Sequence, residues 1–178
     1  VRLPINAPGS DFSPCYIGKD VLFVSSRTRE LGVIHKSTVN DAPLLDIYTS
    51  TPDTGGRWSR PRLFDPLNTK INEGPMAYDS LTGTLFITRN DPDHRKNRDK
   101  SARKGLNRLQ IDVFMRVNDH WVAGEKLPIN NARYAVGHPA LSPDGKTLYF
   151  ASDMPGGFGG ADLYVVSRGE SGWGQPMN

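Results

Sequence analysis

The chain of 178 residues carries 22 Lys and Arg against 19 Asp and Glu, a net charge of +3, too small an excess to call for nucleic acid as a partner. Its 37% apolar and 9% aromatic content suffices for a packed core and excludes a disordered chain, while 18 Gly and 14 Pro argue against long helices. One cysteine, Cys15, excludes an internal disulfide or a cysteine-built zinc site, and no apolar run is long enough for a membrane-spanning helix.

In chain order, Leu3-Pro4-Ile5-Asn6 opens the sequence and Pro14 marks a first strand, which ends at the turn Ile17-Gly18-Lys19. Asp20 to Ser26 is an apolar second strand. A long connection, Arg27 to Leu44, leads to Asp46-Ile47-Tyr48 and then to a strand opened by Trp58. The series restarts at Leu67-Asn68, with Pro75, the turn Ser80 to Gly83, the run Gly83 to Arg89, a second long connection (Asn90 to Gln110), Asp112-Val113-Phe114 and Trp121. It restarts again at Leu127-Pro128-Ile129-Asn130, with Pro139, the turn Ser142-Pro143-Asp144-Gly145, the run Lys146 to Ser152, a short glycine-rich connection, Asp162-Leu163-Tyr164 and Trp173. Leu22, Leu85 and Leu148 stand 63 residues apart.

Three copies of a four-strand unit follow, with repeats of approximately 3–66, 67–126 and 127–178 in a single segment spanning 1–178. From Leu106 to Ala123, Ile111, Val113, Met115 and Val117 alternate with Asp112, Phe114 and Arg116, the period of a strand and not of a helix. The Leu-aromatic runs are apolar on both faces, so each sheet must be covered on both sides. Radial stacking meets that need. The expected fold is all-β, a β-propeller of four-stranded antiparallel blades with about three blades in this chain. Three blades do not close a ring, so the chain is expected to be a mature or excised piece of a polypeptide with more blades; two chains making six is the alternative. Both long connections join the second and third strands, which places them on one face of a propeller, where binding concentrates.

The string Gly137 to Asp153, with Ser142-Pro143-Asp144-Gly145 at its turn, followed by Pro155-Gly156-Gly157-Phe158-Gly159-Gly160-Ala161-Asp162-Leu163-Tyr164, closely resembles the Pro-Asp-Gly class of WD-like, TolB-type propeller repeats. Its glycine-rich part is most similar to the version in OmpA-family envelope proteins. Copies one and two keep the strand residues but lack both turn motifs. The resemblance implies a non-catalytic, protein-binding scaffold of the bacterial periplasm, outer-membrane associated through parts outside this chain. It also implies partners in the cell envelope, peptidoglycan association through a separate domain, and a place in a secretion machinery of the type IX kind. Two other readings stay open: a propeller supporting or gating a hydrolase or peptidase encoded elsewhere, and a carbohydrate-binding propeller.

Residues that recur in every copy are expected to build the scaffold: Asp46, Asp112 and Asp162 as hydrogen-bonding groups, Trp58, Trp121 and Trp173 as packing aromatics. Features occurring once are the candidates for binding. The stretch 91–108 holds Arg95, Lys96, Arg98, Lys100, Arg103, Lys104 and Arg108 against three Asp, and with Arg29, His35 and Lys36 of the first long connection it is the expected partner-binding surface, for an acidic partner, a lipid headgroup region or a polyanionic envelope polymer. Without interleaved aromatics it does not read as a nucleic-acid site. Arg133, Tyr134 and His138 are expected to line a central channel, with Ser13 and Glu73 in the place of His138 in the other copies. Asp91-Pro92-Asp93 is not a calcium loop, since Arg95 occupies the next ligand position. The four histidines lack metal-ligand spacing, and Cys15 reads as a buried small apolar residue. No nucleophile elbow, phosphate loop or dinucleotide fingerprint is present, so no catalytic residue, metal or cofactor is expected.

Overall fold

Apolar runs punctuated by glycine-bearing turns build twelve β-strands in the computed structural model, which describes residues 3–28, 43–90 and 108–178. β1 (Asp11–Ile17), β2 (Asp20–Ser25), β3 (Asp46–Ser50) and β4 (Arg62–Leu63) form the first sheet. β5 (Glu73–Asp79), β6 (Thr84–Asn90), β7 (Leu109–Val117) and β8 (His120–Ala123) form the second, and β9 (Val136–Leu141), β10 (Thr147–Ser152), β11 (Asp162–Gly169) and β12 (Gly172–Trp173) the third. Each is a four-stranded antiparallel meander whose neighbours in sequence are neighbours in the sheet. The first hairpin of each turns through a glycine at positive φ: Gly18 at 61°, Gly83 at 70° and Gly145 at 67°. Two aspartates brace these turns. Asp79 accepts from the Leu81 N–H (2.9 Å) and the Thr82 hydroxyl (2.6 Å), and Asp144 from the Ser142 hydroxyl (2.5 Å) and the Lys146 N–H (3.0 Å). The Ser142 hydroxyl, with the Lys146 N–H behind it, holds the Asp144 carboxyl below the ordinary carboxylate value.

The chain divides into two compact units, Val1–Gly74 and Pro75–Asn178. In the first, one face of the sheet gathers Val21, Phe23 and Tyr48 with Ile5 of the N-terminal segment, and Trp58 and Leu63 pack beside them. The Phe23 and Tyr48 rings stack with centroids 6.3 Å apart. Leu22, Val24 and Ile47, on the opposite face, are also buried, as runs apolar on both sides require.

In the second unit two sheets meet across an apolar seam. Phe86 and Ile111 of the second sheet pack with Val136, Leu148, Phe150, Tyr164 and Val166 of the third, and Leu127 and Ile129 of the intervening chain complete the cluster. Trp173 stands edge-on to Phe86 at 6.0 Å. Each large side chain removed from water here contributes roughly 1.5–3 kcal/mol. The other face of the third sheet departs from the expectation of cover on both sides: Tyr149 is 50% and Leu163 79% exposed.

Equal spacing in sequence does not make the three leucines equivalent in space. Tyr48 lies opposite Phe23, Phe114 opposite Leu85, and Tyr164 opposite Phe150. Leu85 and Leu148 therefore share a face with their sheet's aromatic, whereas Leu22 points away from Tyr48. A one-residue slip exchanges the two faces of a strand, and here the first hairpin takes it up: Gly18-Lys19 alone separates β1 from β2, whereas Ser142 to Lys146 separates β9 from β10.

Candidate functional site

The third strand of each sheet outruns its fourth, which leaves backbone groups without a strand partner. An asparagine side chain takes the strand's place. Asn68 accepts from the Ile47 N–H at 2.7 Å and donates to the Ile47 carbonyl at 2.8 Å. Asn130 does the same for Ile111, at 3.0 and 2.7 Å, and Asn178 donates to the Leu163 carbonyl at 3.4 Å. A carboxamide offers one acceptor and two donors in a plane, as a peptide edge does. These asparagines end a recurrent Pro-apolar-Asn triplet: Pro66-Leu67-Asn68, Pro128-Ile129-Asn130, Pro176-Met177-Asn178 and, at the start, Pro4-Ile5-Asn6. In each clamp an aspartate adjoins the gripped residue: Asp46 beside Ile47, Asp112 beside Ile111, Asp162 beside Leu163.

The first triplet is held by Arg27. Its guanidinium lies 5.1 Å from the Phe23 ring centre and 4.9 Å from that of Tyr48, donates to the Ile5 carbonyl (2.8 Å) and the Asp11 carboxylate (2.7 Å), and through Nε to the Ser25 hydroxyl (2.8 Å). Asp11 in turn accepts from the Ala7 N–H at 2.8 Å. Burial pushes the Asp11 carboxyl up, but the Ala7 N–H and the Arg27 guanidinium, with the Ser25 hydroxyl, outweigh it and hold the group below its ordinary 3.8. Asn6 is thereby fixed between two tethered neighbours. Beside it opens a cleft of about 560 Å³ lined by Arg27, Arg60, Arg62, Tyr48 and Leu63 as well as Asn6.

Of the residues singled out by sequence, Arg95, Lys96, Arg98, Lys100, Arg103, Lys104, Arg29, His35 and Lys36 lie outside the described residues. Arg108 is half-buried at the entry to β7. Arg133 is exposed on the turn before β9, Tyr134 packs against the apolar seam, and His138 is exposed within β9 at φ 57°, its N–H bonded to the Thr88 hydroxyl at 2.8 Å. Ser13 shares the positive φ of His138, at 53°, each preceding a proline at a strand irregularity. Glu73 has a different setting: fully buried, it accepts from the Thr69 N–H and hydroxyl at 3.0 and 2.6 Å. Of the recurrent aspartates, Asp112 faces Arg89 at 3.5 Å and Asp162 accepts from the Gly159 N–H at 2.9 Å. Cys15 is half-buried, not enclosed, because β1 is an edge strand.

The chain matches no protein-family model and no curated protein. Among the described residues no cluster of His, Cys, Asp or Glu is arranged to hold a metal ion, and no helix is long and apolar enough to cross a membrane. The clamp asparagines and Arg27 escape a reading of hydrophobic period, since a side chain that replaces a strand leaves no alternation behind. The fourfold Pro-apolar-Asn triplet is the signal that marks them.

Proposed function

We propose that the chain is a non-catalytic binding scaffold, a β-propeller segment whose stacked blades carry recognition elements for a protein partner in the bacterial envelope. The observation that carries this reading is topological. The two long connections, from β2 to β3 and from β6 to β7, occur at the same place in two repeated sheets, while the third sheet makes the same connection in a few residues. The apolar seam between the second and third sheets supports radial stacking, since sheet faces meet there as neighbouring blades do. The proposed mechanism is geometric: each connection is rooted in its own four-stranded meander, so a partner is bound without the cost of ordering the strands that carry it. The envelope location and a role beside a secretion machinery of the type IX kind rest on the resemblance of the third repeat.

The test replaces residues 28–44 and 91–108 with the short connection of the third sheet. The expected result is loss of partner capture from periplasmic extract with the folded core retained. Unchanged capture overturns the reading.

A further inference from the structure

An aspartate followed by glycine is a chemically exposed step in any polypeptide, because glycine puts no side chain between its own nitrogen and the carboxyl before it. Asp-Gly occurs once in this chain, at Asp144-Gly145, and Asn-Gly does not occur. The first hairpin of the third sheet needs its glycine: Gly145 stands at φ 67°, where a Cβ is strained. The other two sheets meet the same need with Ile17-Gly18 and Thr82-Gly83, so the third repeat alone carries the hazard at its turn. Asp144 is exposed and Gly145 is buried.

We propose that Asp144-Gly145 is a site of spontaneous isomerisation that the folded turn keeps latent, with Ser142 as the latch. In the reaction the Gly145 nitrogen bonds to Cγ of Asp144, and the amide proton leaves with the carboxyl hydroxyl as water. Water then reopens the five-membered imide at either carbonyl. Opening at the α-carbonyl frees an α-carboxylate and routes the main chain through Cβ and Cγ, which is isoaspartate; composition and charge are unchanged. The turn obstructs each requirement. The Gly145 N–H is donated to the Ser142 carbonyl at 2.9 Å, which engages the proton that must leave. Attack also needs the protonated carboxyl, since a carboxylate has no leaving group. The Ser142 hydroxyl at 2.5 Å and the Lys146 N–H at 3.0 Å both donate to Oδ1 of Asp144, pinning the group and favouring its charged form, so the carboxyl lies below its ordinary value. Ser142 is itself fixed by the hairpin: its N–H bonds the Thr147 carbonyl and its hydroxyl accepts from the Thr147 N–H, both at 2.9 Å. The product does not fit either. Isoaspartate adds a main-chain atom and displaces Gly145, on which a single added carbon would stand 2.7 Å from Oδ2 of Asp79. Isomerisation therefore waits for the turn to open.

This site is independent of the long connections and of any binding partner. The test incubates the whole chain in neutral buffer, folded or unfolded in guanidinium chloride, beside the peptide copying residues 140–149. Isoaspartate is counted by enzymatic methylation of its α-carboxyl and located by peptide mapping. The folded chain should form it at Asp144 at least tenfold more slowly than the peptide or the unfolded chain. Ser142→Ala should raise the folded rate about tenfold, as loss of a hydrogen bond to a charged group requires, and Ser142→Thr, which keeps the hydroxyl, should restore it. Denaturation midpoints show whether Ser142→Ala remains folded. Asp144→Asn gives a second reading if it does not: its deamidation passes through the same imide, registers as a gain in mass, and should be at least tenfold slower in the folded chain than in the Asn version of the peptide. Equal rates in the folded chain and the peptide, for Asp or for Asn, overturn the inference. A folded Ser142→Ala that isomerises no faster than wild type overturns the part given to Ser142.

Discussion

Ile111 has both backbone hydrogen-bonding groups closed by one side chain, the Asn130 carboxamide, which accepts from its N–H at 3.0 Å and donates to its carbonyl at 2.7 Å. Ile111 is fully buried, so water does not replace what Asn130 supplies. Asn130→Ala should cost about 2–4 kcal/mol, the penalty of orphaning a buried donor and acceptor together. Asn130→Asp should not rescue it, because a carboxylate returns the acceptor but turns a lone pair toward the Ile111 carbonyl. Asn6→Ala, at the same place in its triplet, should lie within about 0.5 kcal/mol of wild type. Urea unfolding of the three variants measures the contrast.

The Arg27–Asp11 pair gives the first unit a dependence on pH. Asp11 is held below its ordinary 3.8 in the folded chain, so the unfolded chain binds its proton more readily. Stability from this group is then fully present above about pH 5 and is lost as pH falls through the folded-state value. Asp11→Asn should be less stable than wild type at pH 7, and the difference should vanish by about pH 2. Arg27→Ala should cost more than Asp11→Asn at pH 7, roughly 2–3 kcal/mol, since it also removes the stack on Phe23 and Tyr48 and the tie to Ile5. Melting temperatures from pH 2 to 8 decide both.

Two turn glycines share a backbone conformation but not a neighbourhood. Gly18 has φ 61° and open space where a Cβ would stand; Gly145 has φ 67°, and its Cβ would fall 2.7 Å from Oδ2 of Asp79. That carboxylate is committed to the Leu81 N–H and the Thr82 hydroxyl and cannot yield without opening the neighbouring turn. Gly18→Ala should cost about 1 kcal/mol, the strain of a left-handed residue, and Gly145→Ala about 2–4 kcal/mol. Chemical denaturation of the two single variants compares them.

The strands were legible because Leu-aromatic runs, Asp-apolar-aromatic triplets and glycine turns are local signals that recur three times. The face each residue takes was less so. Leu22 heads the same run as Leu148, yet it points away from Tyr48 while Leu148 shares a face with Tyr164, since a two-residue turn after Ile17 sets the register and a repeat count does not record it. Glu73 shows a second limit. Its place near Pro75 suggested a counterpart to His138, but Thr69 folds it inward, a contact four residues away with no period to betray it. Asn6 carries no pattern until the triplet starting at Pro4 is set beside those starting at Pro66, Pro128 and Pro176.

The third sheet separates the energetic roles of its two faces within one pair of strands. Leu148 lies fully buried in the seam against the second sheet, and Phe150 is 1% exposed beside it, so removing either leaves a cavity between two sheets that cannot collapse independently. Leu148→Ala should cost about 2–5 kcal/mol and Phe150→Ala about 3–5 kcal/mol. Leu163 is 79% exposed on the opposite face, and Phe158 98% on the adjoining loop; water already reaches them, so neither offers much transfer energy to lose. Leu163→Ser and Phe158→Ser should therefore stay within about 0.5 kcal/mol of wild type, and the double variant should be the more soluble protein because two exposed apolar side chains have been removed. Urea midpoints and light scattering against concentration test the two halves. A stability loss in Leu163→Ser comparable to that in Leu148→Ala would mean that the outer face is covered in solution.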